Sequence, residues 1–186
     1  MLKPETIDRE QKLVLEVKKG NKEAFGELYD LYAPKLFRFI RLKVNSQVLA
    51  EDLSSESFLR IWEYLKEQKR EIEESFQALL YKTARNLIAD YYKKKSSQEI
   101  FMDDDFREFL SQEPAKDEIN SKEIADQIHK ALTNIKEEYQ NVLIWYYVEE
   151  LSVPEIAKIM DKSQGAVRVL IHRGLRSLKD HLSEQD

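Results

Sequence analysis

Between Lys158 and Lys179 the chain places six bases, Lys158, Lys162, Arg168, Arg173, Arg176 and Lys179, against a single acid, Asp161. That balance is the electrostatic footprint of an element that meets phosphate. At helical spacing Gln164, Arg168, His172, Arg173 and Arg176 share one face, and Val167, Leu170, Ile171, Gly174, Leu175 and Leu178 the other. Just upstream, Ser152 and Glu155 have the spacing of a capping box, and Pro154 falls early in the first turn, where a missing N–H costs nothing. Val153, Ile156, Ala157 and Met160 then line a face of about two turns, and Asp161-Lys162-Ser163 makes a polar turn. A short helix, a tight turn and a second helix with a basic outer face is the pattern of a helix-turn-helix. A helical hairpin with a solvated basic face has the same residues and is the plainer alternative.

A second constellation lies at 76–95. Lys82, Arg85, Lys93, Lys94 and Lys95 are offset only by Asp90, and Phe76, Tyr81, Tyr91 and Tyr92 stand among them. Bases with aromatics can track a single strand and stack its bases. Asn86 and Asp90, four apart, share a face and can bond base edges. Aromatics at helical spacing are equally explained as core. A third group, Glu51, Asp52 and Glu56, opens a helix, where acids suit the helix dipole.

Catalysis and metal chemistry find little support. There is no glycine-rich phosphate loop, HExxH or nucleophile elbow. Cysteine is absent, and His129, His172 and His181 are far apart. We therefore expect no enzyme, cofactor or metal.

These groups are set on helices. The 186 residues include only 4 Gly and 4 Pro, too few turn formers for a many-stranded β protein. Leu13, Val14 and Val17 line a helix that stops at Gly20, and Asn21 restarts the next. Ala24, Phe25, Leu28, Tyr29 and Tyr32 follow; Pro34 predicts a break or the first turn of a further helix bearing Leu36, Phe37, Ile40 and Leu42. Leu53, Phe58, Ile61, Trp62 and Leu65 mark another helix, residues 66–75 a polar loop, and Phe76 to Tyr91 a long amphipathic helix. Near the C-terminus Ile124, Ile128, Leu132 and Ile135 form one face, and Tyr139, Val142, Leu143, Trp145, Tyr146 and Val148 another.

The formal charge is −5, yet residues 97–123 alone hold nine acids and three bases, so the remainder carries 27 bases and 26 acids. The acidity belongs to a segment, and a basic surface elsewhere remains open to nucleic acid. With Pro114 and weak periodicity, that stretch reads as a linker; its Ile100, Phe101, Phe106, Phe109 and Leu110 suit a docked helix or a partner-binding segment equally. No apolar run approaches the ~20 residues of a membrane span, and Met1 to Lys19 lacks an apolar signal core, so a cytoplasmic protein without membrane insertion is expected.

In this order the motifs resemble those of bacterial RNA polymerase sigma factors of the extracytoplasmic-function (ECF) group. The first half carries Ala24-Phe25-x-x-Leu28-Tyr29, Ala50-Glu51-Asp52-Leu53, Phe58-Leu59-Arg60-Ile61-Trp62 and Ala84-Arg85-Asn86-Leu87-Ile88-Ala89-Asp90. The second carries Glu150-Leu151-Ser152, Glu155-Ile156-Ala157, Gly165-Ala166-Val167-Arg168 and His172-Arg173. The resemblance implies an all-α protein of two helical domains joined by an acidic linker: a promoter-melting bundle (10–96, sigma region 2), the linker (97–121) and a C-terminal helix-turn-helix domain (122–183, sigma region 4). It implies that Asp52, Leu53, Glu56 and Phe58 dock on core RNA polymerase. Lys82, Arg85, Asn86 and Asp90 would face the minus-ten element, with loop 66–75 pocketing a flipped base. Gln164, Arg168, Val169 and Arg173 would face the minus-thirty-five element in promoter DNA, with Lys162 and Arg176 nearer phosphate. Ala166, Val169 and Leu170 replace the usual Thr, Ser and Arg, which shifts weight to apolar contact with thymine methyls. The family also allows for an anti-sigma factor as partner. A repressor acting without polymerase would need dimerisation and a palindromic site, and a helical adaptor would have no use for the bases at 158–179.

Overall fold

The structure, a computed structural model, describes residues 4–44, 46–67, 75–95 and 127–183. Among these residues all regular structure is helical. The N-terminal half holds α1 (Pro4–Lys18), α2 (Lys22–Arg41), α3 (Gln47–Glu67) and α4 (Phe76–Lys95). The C-terminal half holds α5 (127–134) and α6 (Glu137–Leu143), which runs into a π turn at Ile144–Val148. It ends with α7 (Val153–Met160) and α8 (Gln164–Ser183). The acidic linker and most of the 66–75 loop lie outside the described residues.

The stop and restart after α1 is built as its residues predict. Gly20 takes φ +92, open to glycine at little cost, and the Asn21 side chain accepts from the Ala24 N–H at 3.1 Å. The break expected at Pro34 does not occur: α2 passes through it. An interior proline costs about 3 kcal/mol. Leu28, Tyr32, Leu36, Phe39 and Ile40, on both sides of it, are fully buried on one face, which only a continuous helix achieves. Pro34 itself lies on the exposed side, where water can bond the carbonyl that its ring releases.

α2 and α3 close on an aromatic cluster in which Phe25 meets Trp62 (centroids 4.9 Å apart) and Tyr29 meets Phe58 (4.6 Å). Glu10 of α1 is buried and accepts from the Tyr32 hydroxyl and from the Phe76 N–H at 2.9 Å. One carboxylate thereby ties α1 to α2 and caps the start of α4; burial pushes it above the usual carboxylate range despite these donors.

Helical spacing alone puts Trp145 and Tyr146 on one face with Val142. The π turn separates them, closed by the Glu149 N–H on the Ile144 carbonyl at 3.0 Å. The extra residue per turn leaves Trp145 fully buried and Tyr146 and Tyr147 exposed. Trp145 stacks on Phe39 of α2 (5.3 Å, 14°) and meets Tyr81 of α4 edge-on (5.8 Å), so the two halves share one core.

Candidate nucleic-acid interface

The helix-turn-helix is assembled from local signals. Ser152 and Glu155 form the capping box, with the Ser152 N–H donating to Glu155 at 2.7 Å and Pro154 in the first turn. Asp161 ends α7 in the left-handed region (φ 53), which Asp tolerates better than most residues. Ser163 restarts the chain by accepting from the Ala166 N–H at 3.2 Å. α8 then packs on α6 at Gly174, where an added Cβ would stand 3.3 Å from Leu143 Cγ and from Tyr139 Cβ. A side chain here would press on both neighbours, so the glycine favours this close approach and with it the side of α8 that faces out.

That outer side presents Gln164, Arg168, Val169, Arg173 and Arg176, all exposed. Gln164 to Arg176 span roughly 18 Å at the rise of an α-helix, a length that fits along a major groove about 12 Å wide. Lys162, in the turn, is paired with Glu138 at 3.2 Å. Leu175, expected on the inner face, is 41% exposed; Gly174 rather than Leu175 faces α6, because the close crossing admits no side chain there. His181 and His129 are half-buried, and His181 Nδ1 lies 2.9 Å from the Ser177 carbonyl.

On α4, Asn86 and Asp90 are exposed one turn apart, while Lys82 and Arg85 are half-buried beside them. Lys82 Nζ makes an ion pair with Asp161 Oδ1 at 2.7 Å, across the junction between the halves. Residues 68–74 of the loop expected to take a flipped base lie outside the described residues.

On α3, Asp52 and Glu56 reach the outer surface, Glu56 paired with Arg60 at 2.7 Å. Leu53 and Phe58 are 8% and 3% exposed, facing the core, so they fix the helix rather than offer a surface. The outward stripe is instead Val48, Asp52, Ser55 and Leu59, with Val48 and Leu59 64% and 51% exposed. Sequence reasoning missed these two. The signal was available: Leu59 falls out of step with Leu53, Ile61 and Leu65.

Among the described residues no cluster of His, Asp or Glu could hold a metal, and no described helix is long and apolar enough to cross a membrane. An exposed basic row on α8 of one half and a polar row with bases on α4 of the other give a two-part helical protein whose surfaces suit nucleic acid. The comparisons then fix its family. Residues 28–98 match the family model for Sigma-70 region 2, and residues 122–178 that for Sigma-70, region 4. The chain is 28% identical over 184 residues to the ECF RNA polymerase sigma factor SigW of Bacillus subtilis, covering 94% of this chain and 97% of that one. It is 30% identical over 178 residues to the ECF RNA polymerase sigma factor BldN of Streptomyces coelicolor, covering 91% and 64%. Its fold superposes on CnrH, solved in complex with the cytosolic domain of CnrY, with TM-score 0.72 at 18% identity, covering 96% and 99%. The sigma factor RpoE of Bartonella quintana, solved with the anti-sigma factor NepR, gives 0.62 at 20% identity, covering 86% and 96%. The chain belongs to the sigma-70 family of RNA polymerase sigma factors, in its ECF group.

Proposed function

We propose that this sigma factor divides promoter recognition between α8 and α4, and meets core RNA polymerase through the outer stripe of α3. Residues 10–96 form the melting domain, 97–121 the linker and 122–183 the helix-turn-helix domain, a division supported by the two family matches. Gln164, Arg168, Val169 and Arg173 read the minus-thirty-five element, with Lys162 and Arg176 on phosphate. Arg can bond guanine in two places, and Val169 can pack on a thymine methyl. Lys82, Arg85, Asn86 and Asp90 line the minus-ten strand, where capture of an unstacked base offsets a cost of a few kcal/mol. Asp52 and Glu56 meet the polymerase with Val48 and Leu59, while Leu53 and Phe58 hold α3 in place from behind.

The protein performs no chemistry of its own in this scheme; the polymerase does. It works in the cytoplasm, where polymerase and chromosome are. An anti-sigma factor is part of the proposal, supported by the complex of RpoE with NepR. The observation that carries the reading is the exposed row on α8, held outward by the Gly174 crossing, in a chain that matches both sigma regions in order.

Co-elution with core RNA polymerase, followed by runoff transcription from a genomic fragment library, tests it. We expect binding and new start sites. Absence of binding, with a gel shift by the protein alone, would replace the reading with that of a repressor.

A further inference from the structure

We propose that the cleft between α4, α5 and α6 binds a phosphorylated small molecule of the nucleotide class, with Lys43, Lys93 and Lys130 taking its phosphates and Tyr92 flanking its ring. The cleft has a volume of about 750 Å³, within the roughly 300–1,000 Å³ of small-molecule sites. None of the described residues lining it reads DNA or meets polymerase in the scheme above.

Three elements bring the cations together. Lys43 follows α2 directly, in a turn where its N–H donates to the Ile40 carbonyl at 2.8 Å. Its side chain is only 3% exposed, and Nζ lies 2.5 Å from Asn141 Oδ1 and 3.4 Å from Glu137 Oε1. Lys93 of α4 and Lys130 of α5 stand exposed at the rim, and His129 adds a further basic side chain. Glu137 is the one acid among the lining residues. It is itself 54% exposed and answers at most one of three lysine charges. Like charges converging on a concave surface raise a positive potential there, which an anion relieves. Burial depresses Lys43 to about 8; Glu137 opposes this and Arg85 adds to it. An anion beside Nζ favours the charged form again.

The set of groups selects the ligand. Three separate ammonium groups suit a chain of phosphates, which spreads several negative charges over many oxygens. Lysine meets phosphate as a point charge and needs no fixed fork geometry. A single carboxylate would leave two of the three unanswered. Beneath the cations the wall is apolar, with Ile88 and Ile135 buried. Tyr92 stands beside it, 37% exposed, its hydroxyl donating to the Lys43 carbonyl at 2.8 Å. That bond fixes the ring and leaves part of it open, a platform on which a planar base can stack. An apolar wall with a few convergent polar groups is the make-up of a small-molecule site.

The test uses the full chain without polymerase or DNA, with ATP as ligand and tripolyphosphate and adenosine as its two parts. By calorimetry we expect one ATP site. A ligand that binds only the folded chain raises Tm, here by roughly 5–10 °C at about a hundredfold excess over Kd. Tripolyphosphate and adenosine should each bind about tenfold more weakly or worse. Lys130→Glu and Lys93→Glu, at exposed positions, should each weaken ATP binding about tenfold while the unliganded Tm stays near that of the parent. Should either variant unfold, Lys130→Gln should show the same loss to a smaller extent. Arg168→Ala, on the basic row of α8, should bind ATP as the parent does. Absence of ATP binding, binding that survives both Lys130→Glu and Lys93→Glu, or binding lost in Arg168→Ala would each overturn the site. Tripolyphosphate or adenosine binding as tightly as ATP would overturn the nucleotide class. If ATP binds only after Asp103→Asn, Asp104→Asn and Asp105→Asn, acids of the chain itself compete for the cleft, and the free ligand is overturned as its occupant.

Discussion

Two glycines inside helices should respond oppositely to the same change. Gly26 of α2 has nothing within 4 Å of where a Cβ would stand. Gly→Ala in a helix interior gains about 0.8–1.0 kcal/mol, so Gly26→Ala should stabilise by about that amount. At Gly174 the same gain is opposed. The new Cβ would sit 3.3 Å from both Leu143 Cγ and Tyr139 Cβ, inside the roughly 3.5–4.0 Å optimum for carbon contacts. Tyr139 Cβ is fixed by its own backbone and Leu143 Cγ is the branch point of a packed side chain, so relief requires α6 and α8 to part. Overpacking of this kind typically costs about 1–3 kcal/mol. The net for Gly174→Ala is then a loss of about 1 kcal/mol. For a chain of this size 1 kcal/mol moves Tm by roughly 2–4 °C, so the two variants should separate by about twice that. Thermal unfolding followed by circular dichroism reads the difference directly. If both variants rise in Tm alike, the crossing at Gly174 is not tight, and the account of how α8 is oriented fails.

Other consequences are equally direct. Arg168→Ala should lower promoter-specific transcription by the value of one base contact, about 1–3 kcal/mol, with co-elution on polymerase intact; unchanged promoter use would remove Arg168 from the reading face. Asn86→Ala should impair strand opening more than duplex recruitment, and a normal permanganate footprint would sink that role. Leu59→Asp should abolish polymerase binding with little change in Tm, whereas Leu53→Ala should cost roughly 2–5 kcal/mol in stability; the reverse pattern would exchange their roles. Glu149, near Arg38, Lys35 and Tyr81, has its carboxyl raised to about 7 by burial. Its contribution is complete below the usual carboxylate range and is lost as pH rises through about 7. Relative to Glu149→Gln, the wild-type protein should therefore lose Tm between pH 5.5 and 8, and a pH-independent difference would refute the burial argument.

Much of the local structure was legible because its causes are local. Gly20 and Asn21 mark a stop and a start through backbone freedom and a side-chain cap. Ser152, Pro154 and Glu155 announce α7 in the same way. The outer row of α8 followed from spacing, since a face rich in Arg cannot be the buried one. Where a neighbouring element decides, the pattern misled. Pro34 argued for a break, but burial on both sides of it carried the helix through. Leu53 and Phe58 matched the family motif, yet their spacing is that of the core.

By itself the sequence determined an all-helical chain, the caps and turn of the helix-turn-helix, and the basic row that marks it as DNA-binding. These depend on contacts within a few residues, or on a density of charge too costly to bury together. Only the tertiary structure decided that Trp145 turns inward through a π turn, that Gly174 sets the α6–α8 crossing, and that Lys82 is held by Asp161, 79 residues away. Each of these depends on a partner distant in the chain, and spacing along one helix carries no information about what packs against it.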